Sequence, residues 1–363
     1  MRVVTFGEVM LRMMPPGWLR VSQSLPGSLD ATFGGAEVNV AVSIARQGGQ
    51  AAFCTALPDN PLTDAFVAQL RSFGVDVDLI LRTSEGRFGI YFVENGANQR
   101  GGTVIYDRAG SSISMTPAST YQWDTIFKGA SWFHVTGITP SLSREAADAA
   151  LASAREATQR KIPVSCDLNF RKKLWNWESG TKPAALARKT MEQLLPHVQV
   201  LIANEEDAEQ VLGIHSAETN VEAGELNLEG YQGVAQQIVE RFPNIRKVAI
   251  TLRESISASH NNWGAMLYDA EQKKAVYAPT DASGTYTPYE IRNIVDRVGA
   301  GDSFAGALIF ALQTPELAES ATALHYAVAA SCLKHSILGD YNQSSRAEIE
   351  ALMKGGGRGR VSR

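Results

Sequence analysis

The chain has 363 residues, 44% of them hydrophobic, enough for a large core plus a subsidiary unit. Its 34 Lys+Arg against 38 Asp+Glu leave a net charge of −4, too mild a balance for nucleic acid or an anionic membrane to be the main partner. Cys54, Cys166 and Cys332 are far apart and read as buried packing in a reducing compartment. With no signal-peptide pattern at Met1–Glu8 and no apolar run of membrane-spanning length, the expectation is a cytoplasmic, soluble protein.

Val3–Phe6 reads as a strand ending at Gly7. Leu11–Phe33 carries Pro15, Pro16, Gly17, Pro26 and Gly27, breakers that exclude a helix and suggest loops or irregular edge strands. Gly34–Asn39 opens an apolar helix through Ala45, Ala51–Leu57 is a strand, and Pro61–Phe73 is an amphipathic helix with Leu62, Phe66, Leu70 and Phe73 at helical spacing. Phe88–Glu94 and Thr103–Arg108, joined by Asn95-Gly96-Ala97-Asn98, read as a hairpin. With residues 11–33 it would form a small separate sheet.

From Trp132 strands and helices alternate. The strands are Trp132–Val135, Pro163–Asp167, Val198–Ala203 and Lys247–Leu252; the helices are Ser143–Gln159, Lys182–Leu195, Glu205–Leu212 and Val234–Phe242. This rhythm indicates a parallel sheet covered by helices on both faces, with ligands at the strands' carboxyl ends. Ala217–Gln232 is polar and reads as an inserted loop. Ala265–Tyr268 and Ala275–Ala278 form an antiparallel pair, Pro315–His335 is mostly helical, and Lys354–Arg363, rich in Gly and Arg, reads as a disordered tail.

The chemistry concentrates in Asp296-Arg297-Val298-Gly299-Ala300-Gly301-Asp302 before an apolar helix. A tight turn running into a helix start offers unpaired N–H groups and a favourable dipole, which together cradle an anion. Asp302 within that cradle is a candidate base. On spacing alone, an ordinary glycine turn capped by Asp302 fits equally well.

Gly34-Gly35-Ala36-Glu37-Val38-Asn39-Val40-Ala41 with Gly48, and Asp296–Gly306, together resemble the two signatures of the ribokinase-like carbohydrate kinases of the phosphofructokinase-B type. The likeness extends over nearly the whole chain. It implies a ribokinase-like three-layer α/β sandwich with a mostly parallel central sheet and a small β lid. Residues 1–10, 34–87 and 117–353 would form the kinase domain, and 11–33 and 88–116 the lid. It implies phosphoryl transfer from ATP with Mg²⁺ and the possibility of a monovalent cation. The backbone of Gly299, Ala300 and Gly301 would hold the phosphoryl group, with Asp302 as general base. Asn204-Glu205-Glu206-Asp207 is similar to the family's Asn-x-x-Glu motif, so Asp207 or Glu206 would organise the metal through water. By spacing alone the same run is an N-cap with acids in the first helical turn. Asn204, Thr251, Arg253, Gly299, Gly301 and Asn342 are the nucleotide candidates. Arg253 stands where many relatives carry a glycine.

Tyr106 and Arg108 share one strand face, Tyr91 lies on the partner strand, and Asp167-Leu168-Asn169-Phe170-Arg171 ends a buried strand. Two arginines facing one cleft suit an anionic acceptor, although strand aromatics and surface ion pairs account for the same residues. The set resembles the 2-keto-3-deoxygluconate kinase branch of the family. That resemblance implies Gly34, Gly35, Asn39, Tyr91, Tyr106, Arg108, Asp167, Asn169 and Arg171 around the acid sugar, with transfer to its terminal hydroxyl. The alternatives are a kinase for 2-keto-3-deoxygalactonate, fructose or ribose, and a catalytically silent sugar-binding regulator. An exposed lid edge would favour a homodimer.

Overall fold

The computed structural model describes residues 1–215 and 228–355. In chain order the strands are β1 (Arg2–Phe6), β2 (Met10–Met14), β3 (Asp30–Gly34), β4 (Gln50–Pro58), β5 (Ile80–Thr83), β6 (Gly89–Glu94), β7 (Thr103–Asp107), β8 (Trp132–Thr136), β9 (Val164–Asp167), β10 (Val200–Asn204), β11 (Lys247–Ser257), β12 (His260–Asp269), β13 (Lys274–Ala278) and β14 (Tyr289–Arg292). The longer helices are α1 (Ala36–Arg46), α2 (Pro61–Ser72), α3 (Arg144–Gln159), α4 (Pro183–Leu194), α5 (Leu228–Arg241), α6 (Ala300–Leu312), α7 (Ser320–Lys334) and α8 (Arg346–Met353).

Among the described residues two sheets form. The large one runs β13-β12-β11-β10-β9-β8-β1-β4-β5, with β14 also paired to β12. It is parallel from β11 through β5 and antiparallel at β11–β12–β13. Central strands such as β4 are buried on both sides and carry near-continuous apolar sequence. Helices α1, α2, α6, α7 and α8 pack on one face around Phe53, Phe66 and Phe304. Helices α3, α4 and α5 pack on the other around Phe133, Leu186 and Ile238. Starts follow capping rules: the Asn60 side chain accepts from Leu62 and Thr63 N–H ahead of Pro61, and Ser143 accepts from Ala146 N–H. No helix among the described residues is long and apolar enough to cross a membrane.

The small sheet has the order β3-β2-β6-β7. Here the expectation for residues 11–33 needs correcting. β2 is a regular central strand between β3 and β6, and Val21–Ser24 forms one helical turn between the breakers. The prolines and glycines confine that turn to four residues instead of abolishing it. β6 and β7 form the expected hairpin, with Tyr91 opposite Tyr106. Its tip meets the β11–β12 hairpin, where Ala258 N–H donates to Asn98 O at 2.7 Å.

Other differences are local. β11 continues to Ser257 because it pairs with β12 beyond the large sheet's apolar layer. Residues 228–232, expected in a loop, are the first turn of α5. Residues 216–227 of that expected loop, and 356–363 of the expected tail, lie outside the described residues.

Candidate active site

A cleft of about 350 Å³ opens at the carboxyl ends of β1, β9 and β10, beneath the small sheet. This is where open α/β sheets hold ligands.

Its floor is the start of α6. Gly299 takes φ 83°, and a Cβ there would stand 2.0 Å from the Asp340 carbonyl oxygen. Conformation and space therefore both require glycine. A Cβ on Gly301 would meet nothing within 4 Å, so its missing side chain leaves open room at the helix start. Asp302 sits in the first turn of α6, and its Oδ2 accepts from Asn39 Nδ2 at 2.6 Å. Burial pushes its carboxyl up to about 6 and Asp340 adds to the shift, while the Asn39 hydrogen bond and the charges of Arg171 and Lys334 pull it back.

Asn39 lies on α1, where its Oδ1 accepts from Gly35 N–H at 3.2 Å. Gly35 lines the cleft, and a Cβ on it would strike the Glu8 carbonyl. Gly34 does not line the cleft. It is buried against Asp340, whose Oδ2 would lie 2.1 Å from an added Cβ.

At the small-sheet end stand Tyr91, Tyr106 and Arg108. Arg108 is only 7% exposed and its Nε donates to Glu8 Oε2 at 2.6 Å. Its guanidinium lies 5.4 Å from the Tyr106 ring centroid. The Tyr91 hydroxyl donates to Asp340 Oδ2 at 2.7 Å. Across the cleft, Asp167 Oδ1 accepts from Asn169 N–H, which fixes Asn169 at φ 38°. Burial, then Asp207 and Asp302, hold the Asp167 carboxyl well above the usual carboxylate range. Arg171 is exposed, and the one hydrogen bond of its side chain among the described residues goes to Phe170 O.

At the other end are Asn204, Asp207, Thr251 and Arg253. Asn204 Oδ1 accepts from Glu206 and Asp207 N–H, both at 2.9 Å. Asp207 is buried; Oδ1 accepts from Phe170 N–H and Oδ2 from Asn204 N–H. Among the described residues no group of three or more His, Cys, Asp or Glu could hold a metal directly. Asp207, with one oxygen lone pair left on each side, fits a metal reached through water. Glu206 is exposed and does not line the cleft. Asn342 is turned away from it: 1% exposed, it donates to Ser303 Oγ at 2.7 Å.

Sequence reading passed over Glu8, Arg12, Asn261, Trp263, Lys334 and Asp340, and gave Arg297 no role of its own. Asn261 and Trp263 line the cleft with Asn261 Nδ2, Asn261 Oδ1 and Trp263 Nε1 all buried and unpartnered. Lys334 is fully buried, and burial depresses its ammonium pKa despite Asp296 and Asp340. Only the alternation of β12, which turns Asn261 and Trp263 to the face of Arg253, was available as a signal.

The glycine turn and Asp302 thus lie under a small sheet on a ribokinase-like α/β sandwich. The chain belongs to the pfkB family of carbohydrate kinases, whose sequence profile matches residues 1–252. The crystal structure of 2-dehydro-3-deoxygluconokinase from Thermotoga maritima is 44% identical, with a TM-score of 0.87 over 98% of each chain. A PfkB family carbohydrate kinase from Listeria grayi is 31% identical, with a TM-score of 0.84 over 98% of this chain and 100% of that one. The 2-dehydro-3-deoxygalactonokinase of Haloferax volcanii is 31% identical over 98% of both chains.

Proposed function

We propose that the chain transfers the γ-phosphoryl group of ATP to the terminal hydroxyl of 2-keto-3-deoxygluconate, giving 2-keto-3-deoxy-6-phosphogluconate. The observation that carries this reading is the Asp302 carboxylate: hydrogen-bonded by Asn39, one residue after the glycine turn, and in the same cleft as Arg108 and Arg171. Asp302 accepts the proton of the attacking hydroxyl. The N–H groups of residues 299–302 take up charge that spreads onto the transferring group. Tyr106, Arg108 and Arg171 hold the acid sugar so that its far end reaches Asp302. Asp207, which lines the cleft where Glu206 does not, would hold Mg²⁺ through water, and the ion would neutralise phosphate charge. The small sheet acts as a lid that excludes water. The exposed Val104 and Ile105 of edge strand β7 suit pairing with a second copy, and a monomeric mass in sedimentation would count against a lid-paired dimer.

The test is ADP formation with 2-keto-3-deoxygluconate, its galacto epimer, fructose and ribose in parallel. The expected result is preference for the gluconate. Similarity to the Haloferax volcanii enzyme makes the galacto epimer the second reading, and a reversed preference would establish it. Preference for a neutral sugar would overturn the acid-sugar assignment, and no turnover with any would favour a regulator. Asp302→Asn should lower kcat by roughly 100-fold to 10,000-fold; unchanged turnover would remove the base from Asp302. Because the base works ionised, kcat/KM should fall as pH drops through about 6.

A further inference from the structure

A chain of buried polar contacts ties the small sheet to Asp302, and phosphoryl transfer as derived above uses only its last link, from Asn39. Arg12, on β2, is 1% exposed. Its Nη1 donates to Asp340 Oδ1 at 2.7 Å and its Nη2 to Asp296 Oδ2 at 2.6 Å. Asp340 Oδ2 accepts from the Tyr91 hydroxyl on β6 and lies 3.5 Å from Asn39 Nδ2. That same Nδ2 donates to Asp302 Oδ2. Asp296 is completed by the N–H groups of Val298 and Gly339. Asp340 in turn abuts Gly299 of the cleft and Gly34 behind it.

Three carboxylates thus share one poorly hydrated region with two fixed cations, Arg12 and Lys334. Charges act strongly on one another in such surroundings. Asp340 and Asp302 are like charges joined by one amide, so an ionised Asp340 makes Asp302 hold its proton harder. Arg12 is the direct counter-charge of Asp340. Asp302 is also faced by Arg171 and Asp167 from the β9 end, Lys334 from α7 and the Asn39 amide from α1. None of these is removed when the Arg12–Asp340 pair is altered.

We propose that Arg12 and Asp340 are positioning residues for the transfer: they fix Asn39 against Asp302 and set how tightly Asp302 holds a proton, so that docking of the small sheet tunes the base. This rests on Asp302 being the base. It makes an unusual demand. Breaking one ion pair from its two ends should move the base in opposite directions, whereas a purely structural pair would give the same loss from either end.

The experiment is the kcat/KM–pH profile of three variants of the full chain, with thermal unfolding and the KM for ATP measured on the same preparations. In Asp340→Asn the acid limb should move down by roughly half a unit to one unit, and in Arg12→Met it should move up by about as much. The double variant, neutral at both positions, should titrate within about a third of a unit of the parent. Thermal unfolding checks its fold, since replacing Arg12 leaves the buried Asp296 held by the Val298 and Gly339 N–H groups. The KM for ATP should stay within roughly threefold in all three. Limbs that move the same way in both single variants, or stay fixed while kcat falls, would overturn the proposal. If one single variant does not fold, the other is compared with the double, and coincident limbs would overturn it. Failure of the underlying reading looks different: the parent would show no acid limb, or Asp302→Asn would stay active.

Discussion

The two walls of the cleft carry arginines in opposite states. On the small-sheet side, Arg12 behind the cleft and Arg108 in its wall are 1% and 7% exposed, and each is locked onto carboxylates, Asp296 and Asp340 for one and Glu8 for the other. On the large-sheet wall, Arg171 and Arg253 are exposed and, among the described residues, have no carboxylate partner. Arg297 nearby donates to the carbonyls of Ala258 and Ser257, again with no acid. Burial and then the charge of Arg253 push the Arg297 guanidinium below its ordinary pKa. Buried arginines need their counter-ions to fold. Cleft arginines without counter-ions are held ready for an anion that arrives from outside. Arg12 belongs to the architecture, Arg108 is braced by Glu8 where it faces the cleft, and Arg171 and Arg253 stand open.

The sharpest way to break this contrast is at Glu8. Glu8→Ala leaves Arg108 buried without its partner, which should destabilise the protein by about 3–5 kcal/mol in denaturant unfolding. A loss below about 1 kcal/mol would mean that Arg108 reaches solvent or another acid, and the two walls would no longer differ in kind. Next comes Arg171→Met. With no internal ion pair to lose, stability should hold within about 0.5 kcal/mol, while the KM for the acid sugar should rise roughly 10-fold to 100-fold. An equal rise for fructose would show that Arg171 does not read the carboxylate.

The sequence revealed the class of fold and the floor of the cleft, because both are local. Strand–helix alternation from Trp132 and the glycine turn at Gly299–Asp302 are patterns of near neighbours. The counter-ions were hidden for the opposite reason. Glu8 meets Arg108 across 100 residues, and Arg12 meets Asp340 across 328. No periodicity or spacing encodes such a meeting. Arg108 and Arg171 therefore looked alike as sequence, and folding made one a paired strut and left the other open. Gly34 shows the same limit. It was expected beside the sugar, but its constraint is the side chain of Asp340, a residue the sequence did not flag.

Arg253 sharpens the contrast from the other end of the cleft. It is opposite Trp263 in the β11–β12 register, and Asn261, two residues away on the same face, has both amide atoms buried and unpartnered. These groups suit phosphate oxygens. Arg253→Ala should raise the KM for ATP by roughly 3-fold to 10-fold, an effect that shrinks as salt rises from 50 to 500 mM because the site is partly exposed. Unchanged KM would leave Arg253 a solvated strand residue.

The smallest effect should come from Arg82, and it isolates burial as the cause. Arg82 grips two carboxylates, Asp59 at 2.8 Å and Asp64 at 2.6 Å. Arg12 grips its two at 2.6 and 2.7 Å. The geometries are interchangeable, and they join similarly distant groups to one guanidinium. Yet the Arg82 side chain is 36% exposed and its partners 69% and 65%, against 1%, 0% and 4% around Arg12. Water already solvates each Arg82 partner, and holding three side chains in one arrangement costs entropy that offsets the Coulomb gain. Arg82→Ala should therefore leave the unfolding midpoint indistinguishable from the parent, with kcat and both KM values unchanged. A clear fall in the midpoint would mean that geometry alone can make an arginine structural, and the division between the two walls would have to rest on something other than exposure.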